Sequence, residues 1–177
     1  MTTAQAGAME FDGTAPYFSV AASTRGVVPT EQWVVLNATN TLTSQTAAQP
    51  IFDGGGGTTN GAVTLPVGTY QFECVYALTG MSATSGSFGF ALGGTATKTF
   101  AFHALASKGT GTSLTTASAA TATFNTAAAT TLNTAGTGTA GTAIIKGTIR
   151  VTVTGTVIPQ VSLTVASAAV IQAGSYF

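Results

Sequence analysis

Tyr70, Phe72, Cys74, Tyr76 and Leu78 recur at every second position of TYQFECVYALT. Gln71, Glu73 and Ala77 alternate with them, and Val75 is the apolar exception on that second side. A strand turns successive side chains to opposite faces, so this period predicts a half-buried strand and excludes an amphipathic helix. SGSFGFAL repeats it with Phe88, Phe90 and Leu92 opposite Gly89, and TKTFAFHA continues with Phe100 and Phe102. Later, IIKGTIRVTVTG sets Ile145, Ile149, Val151 and Val153 against Lys146, Thr148, Arg150 and Thr152. TVIPQVSLTVA then aligns Val157, Val161, Leu163 and Val165. Pro159 falls on that same face and predicts an edge position or a bulge, because proline has no N–H for a ladder. EQWVVLNA predicts an earlier strand closed by Asn37 to Asn40, and AVIQAGSYF a final one, so the fold should end inside a sheet. Short strands separated by turn residues predict an all-β antiparallel sandwich or barrel.

Two stretches interrupt the strands. Phe52 to Ala62 is a glycine loop. Residues 107–142 are almost wholly Thr, Ala, Ser and Gly, with Leu114, Phe124 and Leu132 as sparse anchors. Thr and Gly are poor helix formers, so loops with one or two weak strands are expected there. Residues 1–30 have no sustained period and carry Pro16 and Pro29 as breakers. They are expected to form an extended arm that orders by lying on a partner, ahead of a domain over residues 31–177. Phe11, Tyr17, Phe18, Val20, Val27 and Val28 are its candidate contact residues.

Only 6% of the 177 residues are charged, against roughly 25% in an ordinary domain. Soluble monomers normally cover themselves with about 25–35% charged residues. The shortfall predicts that neighbours cover much of the surface, in an oligomer within a larger assembly. Disorder does not fit, because 45% of the residues are hydrophobic and the formal net charge is zero. That balance also argues against nucleic acid or an anionic membrane as partner. The N-terminus lacks the basic and apolar regions of a secretory signal, so synthesis in the cytoplasm without export is expected.

Catalytic groups are sparse. The carboxylates are Glu10, Asp12, Glu31, Asp53 and Glu73, and none follows Glu73. His103, the only histidine, is out of phase with Phe100 and Phe102, which predicts a surface or interface position. Cys74 shares the apolar face of its strand and reads as a small core residue rather than a nucleophile. One Cys and one His cannot supply a zinc site, and no Gly-Lys-Ser/Thr follows the glycine run. No enzyme, cofactor or metal is expected. Trp33, Tyr176 and Phe177 are predicted to fill the core or an interface between copies, with stacking on a sugar as the alternative.

Three segments, in order, resemble the jelly-roll domain of tailed-bacteriophage virion proteins: Leu65 to Glu73 (L-x-x-G-T-Y-x-F-E), Gly147 to Gln160 (G-x-I-x-V-x-x-x-G-T-x-x-P-Q) and Ala173 to Phe177 (A-G-S-Y-F). The resemblance covers about residues 30–177 and implies a trimeric, tumour-necrosis-factor-like jelly roll. Such domains serve in tail fibres, head fibres and capsid decoration. The chain departs from the fibre pattern in ending at Phe177 and in having no shaft repeat before the domain. The expected function is therefore a homotrimeric decoration or cement protein of the virion. Its arm would lie across the major capsid protein or another virion protein. The alternative is a fibre or tail-tip protein whose loops at 52–62 and 107–142 touch a host glycan.

Overall fold

The computed structural model describes residues 7–11, 13, 16–21, 24–27, 31–53, 60–111, 113–117, 121–125 and 129–177. The chain divides into two compact units, Met1–Gln32 and Trp33–Phe177.

The first unit is not a featureless arm. β1 (Met9–Phe11), β2 (Pro16–Ala21) and β3 (Thr24–Val27) form an antiparallel meander in the order β1-β2-β3. Sequence periodicity misses it because its strands are only three to six residues long.

The second unit is all-β, with two antiparallel sheets packed as a sandwich. One sheet contains β4 (Asn40–Thr41), β7 (Gly68–Thr79), β9 (Thr97–Thr110), β10 (Ser113–Ala117), β13 (Ala140–Val153) and β15 (Val170–Ile171), in the order β10-β9-β13-β7-β15-β4. β11 (Thr121–Asn125) also pairs with β9. The other sheet contains β5 (Gln49–Pro50), β8 (Phe88–Gly93), β12 (Thr130–Thr131) and β14 (Gly155–Leu163), in the order β12-β8-β14-β5, with β6 (Val63–Leu65) also on β14. With β6 and β9–β11 set aside as additions, the remaining eight strands run first-eighth-third-sixth in one sheet and second-seventh-fourth-fifth in the other. That order is compatible with the expected jelly roll.

The alternation read in the sequence defines the core. Cys74, Tyr76 and Leu78 of β7, Phe100 and Phe102 of β9, and Ile145, Ile149 and Val151 of β13 are buried against Phe88, Phe90, Leu92, Val157, Val161 and Leu163. Aromatic rings tie the layers together: Tyr76 meets Phe88 edge-on at 5.8 Å, and Phe90 meets Phe102 at 5.5 Å. Fully burying a side chain of this size contributes roughly 1.5–3 kcal/mol.

Several local expectations are revised. Val153 and Val165 are exposed, because β13 ends at Val153 and β14 at Leu163. Most of EQWVVLNA forms no regular strand; Val35 makes a single bridge to Tyr176. β14 is paired on both sides, yet Pro159 finds a place. It falls between the β6 ladder, which ends at Val157, and the β5 ladder, which begins at Gln160, and its carbonyl accepts from Ile51 N–H at 3.0 Å. Within 107–142 the described residues hold more strand than expected: the end of β9, then β10, β11, β12 and the start of β13. Leu132 is buried there as an anchor, whereas Leu114 is exposed.

Candidate interaction surface

The register of the first sheet aligns its outward side chains in rows. Val75 of β7 lies opposite Ile144 of β13, and Ile144 opposite Leu105 of β9. On the other side of Val75 the chain returns as Tyr176, which exchanges two backbone hydrogen bonds with Val75 and bridges to Val35. The result is a straight row, Val35–Tyr176–Val75–Ile144–Leu105, across five adjacent segments. Trp33 extends it, its ring tilted on Tyr176 at 5.5 Å. Trp33, Val35 and Leu105 are each more than half exposed, and Ile144 is 42% exposed.

The adjacent row is polar: Glu73 of β7, Lys146 of β13 and His103 of β9 lie directly opposite one another. Lys146 Nζ meets Glu73 Oε2 at 2.7 Å, and the Tyr176 hydroxyl donates to Glu73 Oε1 at 2.5 Å. The Lys146 and Tyr176 hydrogen bonds stabilise the ionised carboxylate and hold its pKa below the ordinary value. The same contact raises the Tyr176 phenol, since its proton is held by an anion. His103 is exposed, on the face opposite Phe100 and Phe102, as the phase of the strand predicts.

Trp33 and Tyr176 thus share the outward face. Phe177, one residue on, turns inward and packs against the core at 6.0 Å from Phe72. Val35, Val75, Ile144 and Leu105 were not singled out as site residues in the sequence. Their signal was there: apolar side chains at positions out of phase with the core-facing set. A cleft of about 500 Å³ lies beside Trp33, lined also by Val35, Asn37, Phe52 and Gly61.

The N-terminal meander has its own exposed apolar side. Met9 is opposite Phe18 and Phe11 opposite Pro16, so the four share a face. Met9 and Phe11 are 75% and 64% exposed. Tyr17 points to the other side, opposite Glu10, and is half-buried. Of the remaining candidates, Val20 and Val27 are described in their strand backbones alone, and Val28 lies outside the described residues.

Chemistry-bearing groups elsewhere are dispersed. The Cys74 thiol is fully buried, and burial pushes its pKa far up, with the Glu73 charge adding to it. Lys108, near the end of β9, is buried. Its ammonium donates to the Gly86 carbonyl at 3.2 Å and to the Thr134 carbonyl, joining two loops at one end of the sandwich. Asp53 is exposed. Among the described residues no three His, Cys, Asp or Glu side chains cluster as metal ligands would. Compared with family models, with curated proteins and with solved structures, the chain matches none.

Proposed function

We propose that this chain is a virion structural protein of a tailed bacteriophage, a self-associating decoration protein that cements the head by packing and binding, without catalysis. The observation that carries this reading is the pairing of two exposed apolar faces with a scarcity of charge. One face is the Trp33–Leu105 row and the other is the Met9, Phe11 and Phe18 side of the meander. Contiguous exposed apolar surface marks interaction sites. A chain with 6% charged residues has little else to keep such faces apart from partners. The two faces belong to separate units, which suits two partners: copies of the chain through the sandwich, and a shell protein through the N-terminal unit. Many weak contacts repeated over a shell add up to firm attachment.

The test is binding of the purified chain to expanded, empty shells of its own phage, beside adsorption to host cells. Saturable shell binding without cell binding is the expected result. Soluble protein that blocks phage adsorption would overturn it in favour of the second reading, a receptor-binding fibre or tail-tip protein. The cleft beside the exposed Trp33 favours that alternative, since an indole face suits a sugar ring.

A further inference from the structure

We infer that the outward face of the first sheet is covered by the same face of a second copy of this chain. The inference rests on the reading of the chain as an assembly module and identifies the surface that joins the copies.

The apolar residues are collected, not scattered. Register places Val35, Tyr176, Val75, Ile144 and Leu105 on one line across the strands, and Trp33 broadens its end. The neighbouring row is already neutralised within the copy, because Glu73 holds both Lys146 and the Tyr176 hydroxyl. Closing this row against another surface strands no carboxylate, so the face calls for no partner of opposite charge. A buried charge lacking a partner is what makes most such closures unfavourable.

Shape and size agree. Three strands about 4.8 Å apart, paired over about a dozen residues at 3.4 Å each, with two flanking segments of about four residues, give a plan area of roughly 700 Å², close to the share of about 800 Å² that one partner contributes to a stable interface. A second sheet face is the natural complement to a sheet face, since two such surfaces interdigitate about 10 Å apart. Exposed Thr148 and Arg150 continue the face beyond the Glu73 row and form a polar margin, as interfaces require.

Sedimentation velocity of the full chain tests this, with Leu105→Glu/Ile144→Glu as the disrupting variant and Val165→Lys, exposed in the bend after β14, as control. The wild type and the control should sediment as one oligomer. The double variant should sediment as single chains of 17.5 kDa with an unchanged far-ultraviolet spectrum. A single-chain wild type, or an oligomer that survives both glutamates, overturns the inference. Ile144→Cys provides a check that does not depend on disruption: a short bismaleimide should link copies covalently, and failure to link counts against the shared face. Shell binding measured in parallel separates this inference from the reading beneath it. A single-chain wild type that binds shells, and loses binding with the double variant, assigns the face to the shell protein and overturns the second copy alone. An oligomer that binds no shell supports this inference and removes the assembly role.

Discussion

Cys74 and Glu73 are neighbours with opposite fates, because one strand step separates core from surface. The thiol lies among apolar side chains, where a thiolate has no solvation, so native protein should leave an aromatic disulfide reagent almost unreacted, and one equivalent should react after denaturation. Rapid native labelling would show that the face is open. Glu73 makes the opposite prediction for pH. Its folded-state pKa is depressed, so its contribution is fully present above the unfolded value and is lost as pH falls through the folded one. Thermal melts from neutral to acid pH should therefore show a falling midpoint. Glu73→Gln should lower the neutral midpoint and flatten the acid slope; an acid slope identical to wild type would remove Glu73 as the cause. Lys108 shows where reading by residue type fails. It has the same parity as Phe100, Phe102, Ala104 and Ala106, which places it inward, although lysine is seldom buried. Its carbonyl partners, Gly86 and Thr134, come from loops that no local pattern brings together.

At the scale of the element, long strands were legible and short ones were not. β7 and β13 carry their alternation over twelve and fourteen residues, enough for the period to stand out. β10 and β11 consist largely of Thr, Ala and Ser, in which inward and outward positions look alike, and they are strands because β9 offers them an edge. The strand expected over EQWVVLNA is one bridge, because its partner is the chain's own last residues, a pairing across the whole sequence. β13 also contains a position where only the absence of a side chain works. A Cβ at Gly147 would sit 2.2 Å from the Ala101 carbonyl oxygen and 2.6 Å from the Phe72 ring. β13 is paired on both sides and cannot move away from that carbonyl. Gly147→Ala should therefore cost about 1–3 kcal/mol in urea unfolding, as overpacking does. An unchanged midpoint would mean that the strands are less tightly registered than described.

For the whole molecule, the boundary after Gln32 separates two physical tasks. Among the described residues, the buried apolar cluster, from Leu36 to Ile171, lies in the second unit. Charge divides along the same boundary. Glu10, Asp12 and Glu31 accompany Arg25 in the first unit, whereas Asp53 and Glu73 accompany Lys98, Lys108, Lys146 and Arg150 in the second. Loss of periodicity predicts a boundary after residue 30, and the chain divides after Gln32, while the N-terminal meander depends on pairing between segments too short to announce themselves. A chain beginning at Trp33 should unfold in urea close to the full chain, within about 0.5 kcal/mol, since the described core residues all belong to the second unit. It should still sediment as the oligomer, because the Val35–Leu105 row is intact, and it should lose shell binding, because Met9, Phe11 and Phe18 are gone. If the shortened chain bound shells as firmly as the full one, the N-terminal unit would not be the anchor. If it failed to fold, the two units would be energetically one. Shell binding lost while fold and oligomer persist is the pattern that a two-interface cement protein requires.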